Sequence, residues 1–79
     1  MLARVFVTLK PGVLDPAGKA VEHALQTLGY PDVGHVRLGK YIELQVEDTD
    51  PSRAKTRVEE MCRKLLANTV VENYRIELG

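Results

Sequence analysis

The sequence predicts an α+β domain, a two-layer α/β sandwich of order β-α-β-α-β with two helices on one face of a mainly antiparallel sheet. Three observations carry that expectation: alternating apolar residues at both ends of the chain, two Asp-Pro steps each followed by an apolar stripe at helical spacing, and one long alternating stretch between them. The 79 residues make one domain, 1–79, and a domain this short buries only about 60–65% of the surface its unfolded chain exposes. A small core of this kind is usually reinforced by disulfides, a metal or oligomerisation. The single cysteine, Cys62, excludes an internal disulfide, and no cysteine or histidine pair has zinc-ligand spacing. Self-association remains.

From Leu2 to Leu9, Ala3, Val5, Val7 and Leu9 share one parity while Arg4 and Thr8 take the other, which is the pattern of a half-buried strand. Lys10-Pro11-Gly12-Val13 then reads as a type II turn, with proline presetting the first central φ and glycine accepting the positive φ of the second. Asp15 caps a helix that begins at Pro16 and is stopped by Gly29; Ala17, Ala20, Val21, Ala24, Leu25 and Leu28 form its apolar stripe and are expected to pack on the sheet. Asp50 and Pro51 repeat the start signal for a second helix with the stripe Ala54, Val58, Met61, Cys62 and Leu65, ending near Asn68. On its outer side Glu59 and Arg63, and Glu60 and Lys64, are four apart in the favourable order.

The middle stretch decides the topology. A two-residue hairpin at Gly39-Lys40 would place Leu38 opposite Tyr41 and Val36 opposite Glu43, mixing charge into an apolar face. One long strand over 36–46, kinked at Gly39, keeps Val36, Leu38, Ile42, Leu44 and Val46 on one side, so the long kinked middle strand is the expectation. A last strand runs over about 70–78, with Val70, Tyr74, Ile76 and Leu78 of one parity. A middle strand that outreaches its neighbours leaves an edge that a second copy of the chain can cover, so the fold is expected to be dimeric.

Eleven basic residues balance eleven acidic ones, without the basic stripe of a nucleic-acid module. No apolar run approaches the ~20 residues that span a bilayer, and Met1 leads into a strand pattern rather than a signal peptide. A soluble cytoplasmic protein is expected. The sequence offers no catalytic, cofactor-binding or metal-binding set. His23 falls on the polar side of the first helix, and His35 has no nearby carboxylate or cysteine in sequence that would make it a base or ligand; Cys62 lies on an apolar stripe, where a packed core thiol is the simpler reading than a nucleophile. The six glycines are scattered singly, with no phosphate cradle, and Phe6, Tyr30, Tyr41 and Tyr74 do not alternate with cations as a base-stacking platform would.

Three stretches stand out: Val7-Thr8-Leu9-Lys10-Pro11-Gly12-Val13-Leu14-Asp15-Pro16 with Gly18-Lys19-Ala20-Val21 and Leu28-Gly29-Tyr30; Val36-Arg37-Leu38-Gly39-Lys40-Tyr41-Ile42-Glu43-Leu44; and Cys62-Arg63-Lys64-Leu65-Leu66-Ala67-Asn68 followed by Val70, Val71 and Tyr74. Together they resemble the PurS family, the small subunits of phosphoribosylformylglycinamidine (FGAM) synthase. Thr69 stands where the family often has proline, and Gly34-His35 replaces a commonly acidic pair. The resemblance implies a non-catalytic dimeric subunit of a complex that converts formylglycinamide ribonucleotide to its amidine with ATP and glutamine-derived ammonia in purine biosynthesis. It implies a synthetase subunit and a glutaminase subunit as partners, with ATP and magnesium used by the synthetase and no cofactor bound by this chain. A second reading, a dimeric ACT-like ligand-sensing module, would use a similar sandwich but bind an amino acid at its interface; a hydrolase built on Cys62 is a third. Lys10, Pro11, Gly12, Arg37, Gly39, Lys40 and Tyr41 have no clear core role, and arginine with tyrosine suits an interface, so they are the expected partner-binding residues against the plainer reading of a solvated rim.

Overall fold

Alternation along the first segment produces strand β1 (Leu2–Leu9) in a computed structural model that describes residues 1–79. It is followed by α1 (Pro16–Thr27), β2 (Gly39–Gln45), α2 (Pro51–Met61), a single π turn (Cys62–Leu66) and β3 (Glu72–Leu78), so the β-α-β-α-β order holds. β1 is the central strand of a wholly antiparallel sheet ordered β2-β1-β3. The register places Ala3 between Leu44 and Leu78, and Val5 between Ile42 and Ile76, on the face that α2 covers. Ala3, Val5 and Val7 meet Val46, Ala54, Val58, Cys62 and Ala67 in a core of eight buried side chains.

The helix starts follow from local chemistry. Asp15 accepts the Gly18 N–H at 2.9 Å and Asp50 accepts the Ser52 N–H at 3.0 Å, each satisfying a donor that the first helical turn leaves free. The turn before α1 is the expected one, with Gly12 at φ +86° and the Val13 N–H donating to the Lys10 carbonyl at 3.1 Å. Gly29, at φ +110°, ends α1.

The second helix departs from its expected stripe in its last turn. The Ala67 N–H donates to the Cys62 carbonyl at 3.0 Å, a five-residue step that fits one more residue into the turn than an α-helix would. The phase of the stripe moves accordingly: Leu65 points out at 83% exposure while Leu66 packs against the core. Helix geometry thus ends at Leu66, two residues before Asn68, whose side chain instead accepts the Val70 N–H.

Two further expectations change. The paired middle strand begins at Gly39, because β1 ends at Leu9 and Thr8 opposite Gly39 is the last pair on that side. The Val36–Leu38 stretch is held instead by side chains at the start and middle of α1: the Val36 N–H donates to Glu22 at 3.1 Å and the Leu38 N–H to Asp15 at 3.1 Å. The apolar stripe of α1 does not pack on the sheet of its own chain. Only Gly18 of α1 is buried, while Val21 is 37% and Leu28 73% exposed. The chain is accordingly elongated, 48 × 25 × 14 Å, with a radius of gyration of 15.8 Å, against about 12 Å for a compact domain of this length.

Candidate functional site

Two surfaces bring together the residues expected to bind partners. The first is a cleft of about 380 Å³ between the β1–α1 turn, the first turn of α1 and the stretch before β2. Lys10, Pro11, Gly12 and Arg37 line it, joined by Lys19 and His35. Leu9, Val13, Leu14 and Val36 supply an apolar wall. His35 holds φ at 55°, a left-handed conformation that costs a non-glycine residue energy and that fixes the path of the chain into Val36.

The carboxylates near this cleft are already engaged. Asp15 accepts the Gly18 N–H through one oxygen and the Leu38 N–H through the other. These two backbone donors, in that order, and more weakly the Arg37 charge, hold its carboxyl below the usual carboxylate range. Glu22 accepts the Val36 N–H and stands 3.9 Å from Lys19, a loose contact for a lysine side chain that is 71% exposed. Lys10 and Arg37 take part in none of the chain's five ion pairs.

The second surface is the sheet face that α2 leaves bare. The β1–β2 register puts Phe6 opposite Tyr41, with ring centroids 5.1 Å apart, and the β1–β3 register puts Arg75 opposite Phe6, its guanidinium 4.1 Å from the ring centroid. The Tyr41 hydroxyl donates to Glu43 at 2.9 Å, and that carboxylate holds the phenol above its ordinary value. Arg75 also pairs with Glu77. Phe6 and Arg75 escaped the sequence reading because only the cross-strand register, which joins residues distant in sequence, places them beside Tyr41.

Gly39 and Lys40 have structural roles. A Cβ on Gly39 would overlap the Val7 carbonyl oxygen and lie 2.8 Å from the Thr8 methyl, so only glycine permits this approach of β2 to β1. Lys40 pairs with Val7 on the inner face, and its ammonium donates to the Leu66 carbonyl at 3.1 Å, capping the open end of the π turn.

The one thiol is apart from both surfaces. Cys62 is fully buried, and burial first, then the nearby Glu59, pushes its thiol up. We expect iodoacetamide to leave Cys62 untouched in the folded protein over a period that labels it fully in urea, as mass spectrometry would show. Cys62→Ser should lower stability by about 1–3 kcal/mol, since a buried hydroxyl needs a partner that the thiol does without; rapid native labelling would contradict this placement. No group of three or more His, Cys, Asp or Glu is placed to hold a metal ion, and no helix is long and apolar enough to cross a membrane.

Comparison with known proteins decides the family. The family model described as PurS, phosphoribosylformylglycinamidine (FGAM) synthase, matches residues 2–79. The chain belongs to the PurS family. It is 56% identical over 75 residues to the phosphoribosylformylglycinamidine synthase subunit PurS of Synechocystis, a match that covers 95% of this chain and 75% of that one. Among solved structures, PurS from Bacillus subtilis superposes with a TM-score of 0.84 at 53% identity, covering 96% of this chain and 94% of that one. The PurLQS structure from Thermotoga maritima gives a TM-score of 0.84 at 34% identity, covering 98% of this chain and 96% of the matched chain. These likenesses run over the whole β-α-β-α-β unit, so the two surfaces above stand on a PurS scaffold.

Proposed function

We propose that this chain is a non-catalytic accessory subunit of cytoplasmic FGAM synthase in purine biosynthesis. It associates with itself and with the synthetase and glutaminase subunits, and it helps to hold the route of ammonia between them. The observation that carries the reading is the whole-length match to PurS. ATP and magnesium act in the synthetase subunit.

The shape of the protomer supports self-association. Its accessible surface is 5639 Å², whereas a compact monomer of 8.8 kDa has about 4,800 Å². The excess is roughly the 800 Å² that one partner contributes to a standard stable interface. The uncovered apolar stripe of α1 is surface of the kind such an interface buries, so a second copy over that stripe supplies the core the single chain lacks.

Partner contact falls to Lys10, Pro11, Gly12 and Arg37 at the cleft and to Tyr41 on the open sheet face. Gly39 and Lys40 hold the strand that connects the two. The test is co-purification: the tagged chain, drawn from its own cell, should bring down a synthetase and a glutaminase subunit, and depleting it from the complex should abolish glutamine-dependent amidine formation. Recovery of the tagged chain alone, with undiminished activity in its absence, would defeat the reading.

A further inference from the structure

The cleft at the start of α1 has a charge surplus that the rest of the chain does not answer. Three cations, Lys10, Lys19 and Arg37, line it against one carboxylate, Asp15, in a protein of zero formal net charge, and of the three only Lys19 has an ion-pair partner, the loose contact with Glu22. Asp15 turns both oxygens to backbone N–H groups, so its charge serves the joint between α1 and the Val36–Leu38 stretch. Elsewhere most carboxylates are engaged within the chain: Asp48 pairs with Arg57, Glu59 with Arg63, Glu60 with Lys64 and Glu77 with Arg75, while Glu43, Asp50 and Glu72 accept hydrogen bonds from Tyr41, Ser52 and Asn68, which leaves Asp32 and Glu47. A second copy of the chain therefore has few free acids to offer. Beside the cations, Leu14 stands 77% exposed, an apolar side chain next to positive charge rather than within a polar rim.

We propose that this cleft is a socket for an acidic segment of a partner subunit, whose carboxylates meet Lys10, Lys19 and Arg37 while an apolar side chain packs against Leu14 and Pro11. The proposal rests on the accessory-subunit reading and names the chemistry of what the partner inserts. The apolar wall and the concave shape give such a segment desolvated contact, and the cations set its register and speed its capture. The joint made by Asp15 and Glu22 fixes the two sides of the cleft relative to each other, so the socket is preformed.

The experiment uses the reconstituted complex of the full chain with its synthetase and glutaminase subunits. K10E/R37E is compared with the wild type and with R53E/K55E, an equal charge reversal on the exposed side of α2. K10E/R37E is expected to weaken assembly at least tenfold in a binding titration while keeping the circular dichroism spectrum; R53E/K55E is expected to assemble like the wild type. Arg37→Ala provides a milder variant in case the double change disturbs folding, and it should weaken assembly several-fold. Wild-type affinity in both cleft variants, or equal loss in R53E/K55E, would overturn the socket and leave the accessory role standing. Failure of the wild type itself to assemble would overturn the accessory role and the socket with it. Inorganic phosphate competing at millimolar concentration, where potassium chloride of the same ionic strength does not, would show a small-anion site and overturn the peptide socket.

Discussion

Gly39→Ala is expected to destabilise the protein by roughly 3 kcal/mol, the upper range for forcing extra volume into a packed site. The added methyl would overlap the Val7 carbonyl oxygen. Val7 belongs to β1, which is hydrogen-bonded on both sides, so the carbonyl cannot retreat without breaking either the β2 or the β3 ladder. A domain of this length has only about 4–12 kcal/mol in all, so the change should move the urea midpoint far down. Gly12→Ala is the informative control. It also has positive φ, but nothing lies within 4 Å of the added atom, leaving only the left-handed penalty of about 1–2 kcal/mol. If Gly39→Ala unfolds at the wild-type midpoint, the close approach of the two strands is not what the geometry indicates.

This contrast shows which parts of the fold were open to reading from the sequence. Caps and turns were, because their causes lie within a few residues: Asp15 and Asp50 reach N–H groups two or three positions on, and Gly12 supplies the φ its own turn requires. The alternation in β1, β2 and β3 gave the faces correctly, since each strand carries its own parity. What the sequence could not show were events set by another segment. The paired length of β2 depends on where β1 stops, so alternation from Val36 ran on past the last available partner at Thr8. Arg37 consequently left the strand face assigned to it and joined Lys10 in the cleft. The π turn broke the 3.6-residue period inside α2, so Leu65 was assigned to the core in place of Leu66. Phe6 gained significance only through the register that sets Tyr41 and Arg75 on either side of it.

The stripe on α1 raises a related point. A 3.6-residue pattern states that a helix face is to be covered without stating by what. Here the sheet of the same chain does not cover it, and the missing surface sets the largest functional effect we expect. Val21→Lys/Leu28→Lys should convert a dimer into a monomer at micromolar concentration. Both residues are exposed in the single chain, so lysine there meets water in the protomer, keeps good helix propensity, and at Leu28 suits the negative end of the helix. In a dimer closed over the same stripe, each lysine would be an unpaired charge in an apolar interface, at several kcal/mol apiece. Weakening of self-association by roughly a thousandfold or more follows from even 4 kcal/mol of that penalty. Circular dichroism should be unchanged, sedimentation should show the monomer, and glutamine-dependent activity of the reconstituted complex should fall at least tenfold. A variant that still sediments as a dimer would place the second copy on another surface, of which the free edge of β3 is the next to test.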